Sequence, residues 1–173
     1  MSHDRFSLVP ASYVYLLREG DAGTEVLLQL RGDVAYMPRH WAAAAAGHVE
    51  RGETAYDAAR REAAEEIGVE PLDLELVTAM QRTAHAEPVD ERIDLHFTAR
   101  HWTGEPRLLE PHKAAELRWC RLADLPDPTV PHERYVLEHL AAGLPAYTTF
   151  GFDPAPAGAR PSPAAPATAG GNP

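Results

Sequence analysis

Gly47-His48-Val49-Glu50-Arg51-Gly52-Glu53-Thr54-Ala55-Tyr56-Asp57-Ala58-Ala59-Arg60-Arg61-Glu62-Ala63-Ala64-Glu65-Glu66-Ile67-Gly68-Val69 is the stretch on which the reading of this chain turns. From Thr54 onward it predicts a helix. Thr54 is an N-cap residue type, Asp57 stands at the third helical position where a capping-box partner belongs, and Gly68 supplies the stop. Between them Ala55, Ala58, Ala59, Ala63 and Ile67 recur at helical spacing and form a small-residue face. Glu62, Glu65 and Glu66 fall at i, i+3 and i+4, which puts three carboxylates on one strip of that helix. Like charges at this spacing cost an isolated helix about 0.2–0.5 kcal/mol per pair. A hard divalent cation with oxygen ligands would offset the cost. A solvated acidic face with ordinary salt bridges to Arg60 and Arg61 gives the same local pattern.

Outward from this segment the chain reads as alternating strands and one further helix. Ala11 to Leu17 and Thr24 to Leu30 are β-branched and aromatic enough for two strands. The turn-rich Arg18-Glu19-Gly20-Asp21-Ala22-Gly23 between them makes a hairpin. Trp41 and the five alanines after it have helical propensity, but no apolar periodicity supports a helix there. Beyond Pro71, strands are expected at Leu74 to Gln81, Ile93 to Trp102 and Leu117 to Leu122. In the second of these Ile93, Leu95, Phe97 and Ala99 turn one apolar face to a core, and His96 falls on the polar side. A second helix is expected from Pro131 or His132 to Ala142, ahead of Gly143. Residues 1–6 read as a frayed N-terminus, residues 7–150 as one folded domain, and the Pro-, Ala- and Gly-rich residues 151–173 as a disordered tail. Strand, strand, helix, three strands, helix is an α+β order.

Composition narrows the function. The 173-residue chain has 16 Lys and Arg against 26 Asp and Glu, a formal net charge of -10. That balance argues against a nucleic-acid partner, which needs a basic footprint. It leaves room for a small phosphorylated ligand if a metal supplies the positive charge. With the single cysteine Cys120, neither an intrachain disulfide nor a multi-cysteine zinc site can form. Cys120 beside Trp119 reads as a small core residue. The nine histidines lack the close pairing of a zinc helix motif. No apolar run approaches the roughly 20 residues of a membrane span, and the first residues lack the pattern of a secretory signal. A cytoplasmic protein with no membrane partner is the expectation.

The spacing of Gly47, Glu53, Arg61, Glu62, Glu65, Glu66 and Gly68 resembles the signature of the Nudix hydrolases, the MutT-like family, at every fixed position. At typical residue frequencies, seven specified identities coincide by chance with a probability on the order of 10⁻⁸ per start site. The resemblance implies a Nudix-type α/β/α sandwich with a mixed β-sheet between helices. It implies that Glu62, Glu65 and Glu66 bind Mg²⁺, with Mn²⁺ as a substitute, or act as base, and that the Gly47 carbonyl is a backbone ligand. Glu53 and Arg61 organise the site. A further ligand comes from a later segment, for which Glu110 is the candidate and Glu105 and Glu116 are rivals. Ala45 and Ala46 stand where the family often has Pro-Gly, a change that bears on loop shape and removes no functional group.

What the resemblance implies about substrate is looser. The stretches Arg92 to Phe97, Trp102 to Pro106 and Glu110 to Lys113, with Trp119, are similar to the subgroup that cleaves (deoxy)nucleoside triphosphates, normal or oxidised, to monophosphate and diphosphate. Candidate substrate contacts are Arg31 to a phosphate, His48 beside Gly47, and Asp94 or His96 to a base edge. Tyr36, Trp41, Phe97 or Tyr15 are the candidates for stacking. ADP-ribose or a nucleotide sugar is the alternative substrate class. A non-catalytic nucleotide sensor is a second alternative, which the complete set of carboxylates opposes. Family members are often dimers, so a homodimer is the assembly the resemblance allows.

Overall fold

The computed structural model describes residues 6–85 and 87–152. The frayed start and the tail read from the sequence lie outside the described residues, apart from Phe6, Gly151 and Phe152. Among the described residues no helix is long and apolar enough to cross a membrane.

The first two strands, β1 (Val9–Gly20) and β2 (Gly23–Arg31), form the expected hairpin, with Leu17 opposite Val26 and Gly20 opposite Gly23. They are followed by β3 (Trp41–Ala43) and β4 (Ala45–His48), then α1 (Ala55–Ile67) and β5 (Glu70–Pro71). The chain continues through β6 (Glu75–Arg82), β7 (Arg92–Ala99), β8 (Trp102–Thr103) and β9 (Ala114–Arg121). It then forms α2 (Pro131–His139) and β10 (Tyr147–Phe150). The main sheet runs β10-β6-β7-β1-β2-β3, with β4 added on β1 and β9 on β2. It is mixed: β1 runs parallel to β7 and β10 parallel to β6, while the other pairs are antiparallel.

Both faces of the sheet are covered, which makes the sandwich. On one face Ala59, Ala63 and Ile67 of α1 pack with Val14, Leu16, Phe97 and Ala99. On the other, Val136 and Leu137 of α2 pack with Tyr13, Tyr15, Leu17 and Met80. Fully buried side chains such as Leu16, Phe97, Ile67 and Leu137 each contribute about 1.5–3 kcal/mol by leaving water.

Two expectations change here. The alanine run is neither helix nor loop: it forms β3 and β4, with Trp41 to Ala45 all buried. Pairing with β2 and β1 outweighs the helix propensity of alanine. The polar side of β7 does not face water either. Asp94 and His96 are fully buried because α2 roofs that face. The edge strand β10, tied to β6 by the Thr78–Thr148 hydroxyl bond at 3.1 Å, had no counterpart in the sequence reading.

Candidate active site

The carboxylate strip is set by how α1 begins and ends. Thr54 Oγ1 accepts from the Asp57 amide at 3.2 Å, and Asp57 Oδ2 accepts from the Thr54 amide at 3.1 Å, a closed capping box. At the other end Gly68 takes a left-handed conformation, φ 71°. Its amide donates to the Ala64 carbonyl and the Val69 amide to the Ala63 carbonyl, each at 3.2 Å.

Arg61 is the hub of the motif. Its Nη2 and Nε donate to the two oxygens of Glu53 at 2.8 and 3.2 Å, a bidentate pair. Its Nη1 reaches Glu62 at 2.6 Å and Glu65 at 3.3 Å, and Nη2 also donates to the His48 carbonyl at 3.1 Å. The hydrogen bond from Arg61 is the main cause that holds the Glu53 carboxyl below its ordinary range. Glu53 Oε1 in turn accepts from the Glu50 amide at 2.8 Å. One guanidinium thus fastens the loop before α1 to the strip of α1.

The three glutamates occupy different environments. Glu65 is 58% exposed and Glu62 12%, whereas Glu66 is 7% exposed and accepts from the Ala46 amide at 2.9 Å. Burial is the main cause that pushes the Glu66 carboxyl up to about 7, with Glu62 and Glu110 adding in the same direction. Gly47 is required by a close approach: a β-carbon there would lie 2.0 Å from Glu62 Oε1. Glu110 is paired with Lys113 Nζ at 2.7 Å, and the Leu109 amide donates to the Glu66 carbonyl at 3.0 Å, which brings that loop against α1. The donors gathered here are carboxylates and the Gly47 backbone, an oxygen set that fits a hard divalent cation. Among the described residues no three of these carboxylates converge as a formed metal centre. Arg61 instead spans Glu62 and Glu65, and the Ala46 amide takes Glu66.

Gly47 and Glu66 open onto a cavity of about 410 Å³. Of the other candidates, Arg31 and His48 line it; Tyr36, weighed for stacking, lines it as well. Asp94 lies buried beneath the lining, bonded to Arg82 and Arg92. His96 is fully buried too, with Nδ1 3.0 Å from the Tyr15 hydroxyl, and burial pushes its imidazole down to about 3. Phe97 sits in the core on the α1 side, tilted against Tyr56, away from the cavity. Glu105 is exposed, and Glu116 pairs with Arg118 along β9. The sequence assigns no individual role to Arg82, Arg92, Lys113 or Glu133, all of which line the cavity, although Arg92 and Lys113 stand in the stretches similar to the triphosphate-cleaving subgroup. Glu133 did leave a signal. With Val136, Leu137 and Leu140 it completes an i, i+3, i+4, i+7 stripe, where a charged residue is out of place.

A mixed sheet between two helices, with a glutamate strip on one of them beside a cavity, is the arrangement that the comparisons place in a family. The NUDIX domain model matches residues 8–140, so the chain belongs to this family and is a Nudix hydrolase. Among solved structures it is similar to a MutT NUDIX hydrolase from Burkholderia pseudomallei, at 26% identity over 76% of this chain and 97% of that one, with a TM-score of 0.66. It is also similar to the NUDIX domain of Shewanella oneidensis NrtR complexed with ADP ribose, at 16% identity, 82% and 92% coverage and a TM-score of 0.67. A third is C. elegans Ap4A hydrolase, at 23% identity, 79% and 98% coverage and a TM-score of 0.59. The last two attest the fold alone. No curated protein matches the chain in sequence.

Proposed function

We propose that the protein is a Mg²⁺-dependent pyrophosphohydrolase that cleaves a (deoxy)nucleoside triphosphate, normal or oxidised, to monophosphate and diphosphate. The observation that carries this reading is the Arg61 hub. It holds Glu53, Glu62, Glu65 and the His48 carbonyl as one unit beside buried Glu66, at a 410 Å³ cavity within the size range of nucleotide-sized sites. Glu62, Glu65, Glu66, Glu110 and the Gly47 carbonyl are the groups that would hold Mg²⁺ or Mn²⁺. When bound, the cation neutralises diphosphate charge and lowers the pKa of water. Glu62 or Glu66 takes the proton from the attacking water. Arg61 and Glu53 keep the loop carrying Gly47 and His48 against α1, and Arg31 and His48 face the ligand from the cavity wall.

The test is a panel assay with Mg²⁺ at alkaline pH, with products resolved. It holds normal and oxidised dNTPs, NTPs, ADP-ribose, a dinucleoside polyphosphate and a nucleotide sugar. Monophosphate plus diphosphate from a triphosphate is the expected result. AMP from ADP-ribose with inert triphosphates would replace this reading with the ADP-ribose class. Nucleotide binding with no turnover across the panel would replace it with a sensor.

A further inference from the structure

Past His48 the cavity changes character. Its floor crosses the neighbouring strands β4, β1, β7 and β6: His48 stands opposite Ala11, and Arg82 stands opposite Arg92, two residues along β7 from Asp94, the partner of Ala11. At about 4.8 Å per strand and about 3.3 Å per residue for that offset, the Arg82 backbone stands roughly 16 Å from that of His48. Fully buried Asp94 anchors both arginines: its Oδ2 accepts from Arg82 Nε at 2.7 Å and its Oδ1 from Arg92 Nε at 3.2 Å. Because Asp94 engages each through Nε, their terminal nitrogens are free of it. Arg92 Nη1 lies 3.0 Å from His48 Nε2, and the Arg82 guanidinium carbon lies 6.0 Å from the ring of Tyr36 on the cavity wall. Arg82 is only 5% exposed. Arg31, from β2, donates Nε to the Tyr36 carbonyl at 3.0 Å and completes a trio of guanidiniums around this end.

The opposing charge is small. His96 and His132 pack beneath, and burial, reinforced by Arg82, holds both imidazoles below their ordinary range and therefore neutral. Glu133 accepts the Ala43 amide, and its burial pushes the carboxyl up to about 8, so near neutral pH it mostly carries a proton. Asp90 lies at the rim, with its Oδ2 accepting the Glu87 amide at 3.0 Å. Three guanidiniums against the two carboxylates of Asp94 and Asp90 leave this end with a net positive charge. An oxyanion with two oxygens matches the planar fork of a guanidinium.

We propose that Arg82 and Arg92, oriented by Asp94 as a positioning residue, form a second anion subsite. It takes a phosphate or phosphate-like dianion of the substrate on the side away from Glu66. The inference rests on the pyrophosphohydrolase reading and sharpens it: the substrate is a nucleotide with an anionic group beyond the anhydride that is cut.

The test uses pyrophosphate, titrated calorimetrically into the full chain in excess chelator, where the carboxylate end repels anions. Binding is expected to weaken at least tenfold in Arg82→Lys and in Arg92→Lys, which keep the charge and lose the fork, and to stay within twofold in Lys113→Ala. Asp94→Asn separates positioning from charge, since loss of a negative charge alone would tighten binding. The expected result is again a tenfold weakening, and tighter binding would overturn the role of Asp94. If Asp94→Asn fails to fold, the two lysine variants decide. No binding by the wild type, wild-type affinity in both lysine variants, or binding lost in Lys113→Ala would each overturn the subsite. Triphosphate hydrolysis with Mg²⁺ is measured on the same preparation. Hydrolysis without chelator-resistant binding sinks the subsite and leaves the function standing, whereas binding without hydrolysis does the reverse.

Discussion

Beside one end of the cavity, where Gly47, His48 and Glu66 line it, the network of Glu53, Arg61, Glu62, Glu65 and Glu66 comes from a single loop and helix. At the other, Arg31, Arg82, Arg92 and Glu133 come from β2, β6, β7 and α2, spread over most of the folded chain. The first end is local and partly wet, with Glu65 58% exposed. The second is dry, and it exists only when the sheet has closed and α2 has roofed it. A side chain at the local end can therefore be changed with the fold intact. At the dry end, charge and stability are coupled through Asp94, which the two arginines share.

The largest expected effect tests the local end. Glu66→Gln should lower turnover of the best panel substrate by about 10²–10⁴-fold, with the far-UV circular dichroism and melting temperature retained. Turnover near wild type would remove Glu66 from the site. A collapse of the fold would show that the two ends are not separable in the way described.

Gly47→Ala sharpens the same contrast. The three atoms nearest to the added methyl all belong to the carboxylate end of Glu62, a flexible side chain that can swing aside. Stability should change by less than about 1 kcal/mol. Turnover should fall by about 10²-fold, because a catalytic group displaced by an ångström loses that order of rate. Equal losses of stability and activity would mean that Gly47 serves the fold and not the placement of Glu62.

The dry end should show itself in the pH dependence of stability. Glu133 has an ordinary value of 4.5 and about 8 in the fold, so the folded chain holds its proton more tightly. Its contribution is present in full below pH 4.5 and is lost as pH rises toward 8. His96 runs the other way. Its imidazole falls from 6.5 to about 3, so stability is lost as pH drops below 6.5, and His132 adds to that limb. The groups acting on Glu133 from neighbouring elements are Arg31 and Arg82, which favour its charged form, and Asp94, which opposes it. Glu66, raised from 4.5 to about 7, adds a loss between those values, so the fall in stability to urea above pH 7 is the limb expected from Glu133, at up to about 1.4 kcal/mol per pH unit for each proton. Glu133→Gln should flatten the alkaline limb and leave the acid limb. An unchanged alkaline limb would assign the loss to other groups.

The same contrast explains what could be read in the sequence. The cap, strip and stop of α1 obey a 3.6-residue period, so Thr54, Glu62, Glu65, Glu66 and Gly68 declare themselves locally. β1, β2, β6, β7 and β9 follow from alternation and turn chemistry, and α2 from helical spacing ahead of Gly143. β3 and β4 do not, because alanine signals helix and only the pairing of Trp41 to Ala43 with β2, and of Ala45 to His48 with β1, makes them strands. The contact of Gly47 with Glu62 is invisible for a similar reason, since it depends on β4 lying beside α1. Alternation put Phe97 and His96 on opposite faces correctly. It could not say that α2 buries the second face, which is what turns His96 from a surface residue into part of the cavity's foundation.

The smallest effect concerns the piece of the local end furthest from chemistry. Thr54→Ala removes the hydroxyl that caps the Asp57 amide and half of the capping box. A lost N-cap costs about 1 kcal/mol, read as a lower urea midpoint at unchanged m-value. Arg61 still ties Glu53 to Glu62, so turnover per folded molecule should stay within twofold. A larger loss of turnover at the same stability cost would mean that the register of the first turn of α1 is transmitted to Glu62 and Glu66. The local end would then be stiffer than the network around Arg61 accounts for.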